Sequence, residues 1–196
     1  MVQMLILASA SQTRRDLLQN AAIPFEVRPA RIDEEVARAA LVAEGHAPRD
    51  VADALAELKA LRLRADGIIL GCDQTVDHRG MLLSKPETPA DAVAQLGALS
   101  SGTHKLHSAI VAAQEGRAVW RHVATVTMTM RRASPAYLAD YVDRNWPVIR
   151  HSAGSYTLEG EGARLFTRVD GDYFAVLGLP LLPLVDWLIA RGEIPA

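Results

Sequence analysis

The stretch that most constrains this chain runs from Ile68 to Pro86. An apolar run, Ile68-Ile69-Leu70, closes on Gly71-Cys72-Asp73-Gln74-Thr75-Val76, turns at Asp77-His78-Arg79-Gly80 and returns through Met81-Leu82-Leu83-Ser84-Lys85-Pro86. Aliphatic and β-branched residues that end at a glycine and then meet a carboxylate read as a buried strand delivering Asp73 to the mouth of a pocket. The turn brings Lys85 back on the neighbouring segment. An acid and a base from separated positions then face one pocket, which is the expected active site.

Around this stretch the pattern mixes helices and strands. Residues 4–8 are a short apolar strand that runs into the hydroxyl-rich Ser9-Ala10-Ser11-Gln12-Thr13; Thr13 and Asp16 have the spacing of a capping box for a helix ending near Ala22. A strand is expected over 25–28 and a polar segment over 32–35. Over 48–64 the period is helical, with Val51, Leu55, Leu58 and Leu61 on one face and Lys59 bordering that stripe. A helix follows over 89–99, then two long strands over 105–113 and 118–130. Ser134-Pro135 opens a helix expected to stop before Trp146-Pro147. Asp170-Gly171 reads as the turn of a hairpin between strands 165–169 and 173–177, and a helix over 180–190 closes the chain. This order indicates an α/β or α+β fold, an extended mixed sheet flanked by helices, in one domain over 1–196.

Several function classes are excluded. A formal net charge of −2 does not suit a basic nucleic-acid binder, so no nucleic-acid partner is expected and a small anionic ligand must be held by a local cluster of cations. The single cysteine, Cys72, leaves no internal disulfide and reads as a small core residue. No stretch approaches the roughly 20 apolar residues of a spanning helix, and Leu5-Ile6-Leu7 is too short for a signal peptide. A cytoplasmic protein with no membrane partner is expected. Gly-x-x-x-x-Gly-Lys-Ser/Thr, Gly-x-Gly-x-x-Gly and His-Glu-x-x-His are all absent. His104 and His107 should point to opposite faces of a strand, so zinc is not expected.

What remains is a set of hard oxygen and cationic groups: Ser9, Ser11, Arg14 and Arg15 at the first helix start, then Glu34, Lys59, Asp73 and Lys85. N–H groups at a helix start attract phosphate, and Arg14 supplies a fork matched to phosphate oxygens. Glu34 and Asp73 can hold Mg²⁺, which usually keeps waters and bridges to substrate phosphates, while Lys59 and Lys85 offset polyphosphate charge. These parts suit hydrolysis at phosphorus by a metal-positioned water.

Over nearly its whole length the chain resembles the Maf family of nucleoside triphosphate pyrophosphatases. The family's Leu-Ala-Ser-x-Ser-x-x-Arg-x-x-Leu-Leu is matched by Leu7-Ala8-Ser9-Ala10-Ser11-Gln12-Thr13-Arg14-Arg15-Asp16-Leu17-Leu18. Asp33-Glu34, Lys59, Gly71-Cys72-Asp73, Lys85-Pro86, Ala153-Gly154-Ser155-Tyr156, Glu159-Gly160 and Gly178-Leu179-Pro180-Leu181 match further motifs in order. The resemblance implies two lobes around the sheet with a cleft between them, a divalent cation (Mg²⁺ or Mn²⁺), a homodimer and a house-cleaning role. It implies that a nucleoside triphosphate and water give the monophosphate and pyrophosphate. By that similarity Asp73 is the proton acceptor, Glu34 and Asp73 hold the metal, and Ser9, Ser11, Arg14, Lys59 and Lys85 grip the triphosphate. The family's base-reading positions fall at Thr13, Gln74 and Glu159. Asp73-Gln74 and the run ending in Glu159-Gly160 are closer to the branch that acts on 7-methyl-GTP than to the dTTP/UTP branch. A carboxylate at Glu159 can accept from both Watson–Crick donors of guanine. The alternatives are a dTTP/UTP pyrophosphatase and a non-catalytic, nucleotide-binding regulator of septum formation.

Overall fold

The computed structural model describes residues 3–196. In chain order the elements are β1 (Leu5–Leu7), α1 (Gln12–Asn20), β2 (Glu26–Val27), α2 (Glu34–Ala43), α3 (Pro48–Arg62), β3 (Ile68–His78), β4 (Met81–Leu83), α4 (Pro89–Leu99), β5 (Thr103–Gln114), β6 (Arg117–Met130), α5 (Pro135–Ile149), β7 (Phe166–Asp170), α6 (Tyr173–Val176) and α7 (Leu181–Ala190). A 3-10 turn at Glu161–Leu165 leads into β7. The strands form one mixed sheet in the order β2-β1-β3-β5-β6-β7, with β4 paired to β3. β1 runs parallel to β2 and β3, and β5, β6 and β7 continue antiparallel. This is the mixed α/β fold expected from the sequence.

Strand alternation decides which helices cover which face. Ile68, Leu70 and Cys72 pack with Leu17 and Leu18 of α1 and with Leu181, Leu184 and Leu188 of α7. Farther along the same face, Val76, Leu106, Val126 and Met128 pack with Leu96 of α4 and Leu138 and Val142 of α5. The opposite face carries α3, whose Ala52, Ala56 and Ala60 lie on Ala109, Val111 and Ala113 of β5. Small residues on both sides let helix and sheet approach closely. At Gly71 there is no room for a side chain, because a Cβ there would stand 2.0 Å from the Ala56 carbonyl oxygen and 2.5 Å from the Ala60 nitrogen.

Four local expectations are corrected. The cap of α1 is Ser11, whose Oγ accepts from the Arg14 N–H at 3.4 Å; Thr13 and Asp16 do not form a capping box, because the helix has already begun at Gln12. The polar segment at 32–35 is the start of α2: Asp33 caps it by accepting from the Val36 N–H at 3.0 Å, and the helix shows no periodic stripe because it buries none of its residues. α5 does not stop before Pro147 but runs on to Ile149, which is buried. The carbonyl that the proline leaves without its N–H belongs to exposed Asp143, where water can serve it. Residues 173–177 are not a strand. Asp172 accepts from the Ala175 N–H at 2.8 Å and starts the short helix α6, so β7 pairs with β6 alone.

Gly71→Ala is expected to force α3 away from β3. Overpacking of this kind costs about 1–3 kcal/mol, to be read as a lower urea midpoint with an unchanged slope.

Candidate active site

β1 pairs with β3 only as far as Leu7 and Leu70, and β4 joins the same strand only from Val76 onward. Between them, Gly71 to Thr75 pair with β5 on one side and on the other side have no neighbouring strand among the described residues. A cleft of about 1980 Å³ opens there. Ser9, Ser11, Thr13, Arg14, Glu34, Lys59, Asp73, Gln74, Lys85 and Glu159 all line it, so the residues singled out in the sequence converge. Arg15 does not line the cleft; one of its guanidinium N–H groups donates to the Ala10 carbonyl.

Lys59 and Asp73 form the buried centre, 5% and 3% exposed. Lys59 Nζ donates to Asp73 Oδ1 at 2.8 Å and stands 2.9 Å from Glu34 Oε2, so one ammonium bridges two carboxylates. Asp73 Oδ2 is buried and accepts no hydrogen bond among the described residues; Arg38 Nη2 stands 3.8 Å from it. Burial raises the Glu34 carboxyl, but the charge and hydrogen bond of Lys59, with Lys85 and Arg38, more than offset this and hold it below its ordinary value. Neighbouring Cys72 faces the core, where burial pushes its thiol up and leaves it unreactive.

The loop after β1 supplies the next wall. Arg14 Nε donates to the Gly178 carbonyl at 2.8 Å and Nη1 donates to Ser9 Oγ at 3.1 Å, which fixes the guanidinium at the start of α1. Ser11 lines the same wall while capping the helix. Lys85 is exposed, and its charge reaches Glu34. Gln74 points to the other face of β3: its amide nitrogen donates to Ser108 Oγ at 2.8 Å and to the Ala175 and Val176 carbonyls at 2.9 and 3.0 Å. Its carbonyl oxygen is left for the cleft. Glu159 is exposed at the rim, and Thr13 is half-buried.

A divalent cation fits this donor set. The Glu34 and Asp73 carboxylates both face the cleft, and one buried oxygen of Asp73 accepts no hydrogen bond among the described residues. Among the described residues no three His, Cys, Asp or Glu side chains converge to enclose a metal by themselves. That suits an ion which takes its remaining ligands from water and phosphate.

Sequence reasoning passed over three contributors. Arg38 was hidden in α2. Gln95 donates to the Ser84 carbonyl at 2.9 Å and accepts from Ser155 Oγ at 2.6 Å, tying the Lys85 loop to the loop of Glu159. His104 Nε2 lies 2.6 Å from the hydroxyl of Tyr156, a cleft-lining residue. Each is a polar residue within an apolar or mixed pattern, which periodicity does not distinguish from a surface position.

Residues 4–191 match the model of the family described as Maf-like protein. The nucleoside triphosphate pyrophosphatase of Roseobacter denitrificans is 54% identical, with all of both chains covered. That of Ruegeria pomeroyi is 52% identical over 97% of each chain. The 7-methyl-GTP pyrophosphatase of Rhizobium meliloti is 44% identical over the full length of both. Both names therefore occur among relatives of similar coverage.

Burial pulls His104 down from 6.5 to about 4, with the nearby His78 adding to the effect. The unfolded chain takes up this proton below pH 6.5 and the folded chain does not, so stability is complete above 6.5 and declines as the pH falls toward 4. The loss is about 3 kcal/mol over that window. His104→Gln keeps a hydrogen-bonding group near Tyr156 and should flatten this part of the stability-versus-pH curve, measured by chemical denaturation.

Proposed function

The chain belongs to the Maf-like family, and from that premise we propose that it hydrolyses nucleoside triphosphates between the α- and β-phosphates, releasing the monophosphate and pyrophosphate. The observation that carries this reading is the unpartnered Asp73 Oδ2 at the cleft edge, beside an ammonium that fixes the other carboxylate oxygen. Asp73 Oδ2 takes a proton from the attacking water. The water oxygen bonds to the α-phosphorus, and the bond to the bridging oxygen breaks with its electron pair going to pyrophosphate. Arg14, Lys85 and the N-terminus of α1 bind phosphate oxygens, and Lys59 keeps the Asp73 carboxylate oriented. Positioning and charge stabilisation supply most of what phosphoryl transfer needs. Mg²⁺ or Mn²⁺, held by Glu34 and Asp73, would draw charge from the phosphate oxygens.

Base choice falls to the other face of β3. The Gln74 carbonyl oxygen and the Glu159 carboxylate are both acceptors, which suits the donor edge of guanine and supports 7-methyl-GTP over a pyrimidine nucleotide. Thr13, which also lines the cleft, is too small to stack on a base. A homodimer and a cytoplasmic location belong to the same reading through the family resemblance. No described helix is long and apolar enough to cross a membrane.

Asp73→Asn should fold and bind nucleotide yet lose about 10²–10⁴-fold in turnover, read as pyrophosphate release over ordinary and methylated nucleoside triphosphates. Retained turnover would refute the role of Asp73. Tight nucleotide binding by the native chain without pyrophosphate release would favour the regulator instead. A chelator should abolish turnover, and added Mg²⁺ or Mn²⁺ should restore it.

A further inference from the structure

Arg38 lies one helical turn beyond Glu34 on α2, and both side chains line the cleft. Its guanidinium offers five N–H donors, and none makes a hydrogen bond among the described residues. The Asp73 oxygen nearest to it, at 3.8 Å, is beyond hydrogen-bond reach. Arg14, by contrast, has two donors committed to Gly178 and Ser9. The Arg38 side chain is 20% exposed, and its guanidinium faces the open cleft with only the long ion pair to Asp73 to engage it. Such a group is poised for an anion that brings its own acceptors. The helix that carries it buries no residue, so a small shift of α2 costs little packing.

We propose that Arg38 is a further triphosphate-binding residue, whose fork engages phosphate oxygens in place of its long contact with Asp73 Oδ2. Arg14, Lys59 and Lys85 share the cleft with the carboxylates of Glu34 and Asp73, and two of these three cations have donors already committed to protein acceptors. Arg38 adds a cation with uncommitted donors and supplies bidentate geometry, which neither lysine offers. Its departure toward phosphate also leaves Oδ2 free to accept a proton. The inference rests on the pyrophosphatase reading for its substrate, but the phosphate contact can be measured separately.

The test uses the full chain with Arg38→Ala and Arg38→Lys. Inorganic tripolyphosphate binding is followed by calorimetry with Mg²⁺ present, pyrophosphate release by steady-state kinetics and folding by thermal melting. Because Arg38 makes no hydrogen bond and α2 no core contact, both variants should melt with the native protein. Arg38→Ala should weaken tripolyphosphate binding by about 10–100-fold, the range for hydrogen bonds to charged groups, and raise the KM for the triphosphate by a similar factor. Arg38→Lys should recover part of both, and binding of the nucleoside monophosphate should change least. Unchanged tripolyphosphate affinity in Arg38→Ala overturns the inference while leaving the pyrophosphatase reading intact. A native chain that binds tripolyphosphate through Arg38 but releases no pyrophosphate overturns that reading and leaves the phosphate contact standing.

Discussion

Everything at the cleft depends on how closely α3 lies against β3. Ala56, Ala60 and Gly71 together remove the side chains that would hold helix and strand apart, and the Lys59 amine can then reach Asp73 at 2.8 Å while remaining buried. A buried ion pair is not a large source of stability, because desolvation of both charges offsets much of their attraction. Its consequence is geometric. One carboxylate oxygen is fixed by the ammonium, which leaves the other with no partner, and the same ammonium reaches Glu34. Charge is thus stored at the cleft edge in an arrangement that packing, not the charges themselves, holds in place.

The interrupted edge of β3 adds a second constraint. Adjacent residues of a strand point to opposite faces, so Asp73 meets α3 while Gln74 meets the end of α6. Because no strand covers the edge between the end of β1 and the start of β4, both side chains also border the same cleft. A dipeptide is thereby divided between two tasks: Asp73 belongs with the phosphate-side cations, and Gln74 with the acceptors at 159 and on its own carboxamide. β1 contributes by ending early, since its continuation past Ala8 would cover the edge and displace the loop of Ser9 and Arg14.

Much of this was legible where burial imposes a period. β3, β5, β6, α4 and α7 each present the apolar stripe to the core that the sequence reading gave them; in α3 the stripe is turned, because Leu58, expected on the buried face, is 40% exposed, while Lys59, expected at its border, is buried with Val51, Leu55 and the small Ala52, Ala56 and Ala60. The meeting of Asp73 and Lys85 at one cleft was legible from a strand, a turn and a return, whereas the place of Lys59 in it was legible only through the family resemblance. Errors gathered where a short-range polar contact competes with the pattern. Asp172 redirects residues that alternate like a strand into a helical turn, and Ser11 caps α1 two residues before the hydroxyl-rich run ends. Pro147 looked like a stop, but Ile149 beyond it is held in the core and the freed carbonyl lies in solvent. In each case a side-chain cap or a buried anchor a few residues away, and not the hydrophobic period, decides the outcome.

α2 was invisible for a different reason, and that reason bears on function. A helix is recognised by the stripe it buries, whereas α2 turns Glu34 and Arg38 toward an open cleft and leaves Val36 and Val42 exposed. The Asp33 cap and the spacing of Glu34 with Arg38 stabilise such a helix by at most about 1–2 kcal/mol together. Its short ion pair to the rest of the fold is that of Glu34 with Lys59 of α3, which is sensitive to any anion that competes for that ammonium. An element held in this way belongs to the low-stability part of the fold. The absence of a buried stripe, which hides α2 from sequence reasoning, is the same property that lets its charged side chains respond to what enters the cleft.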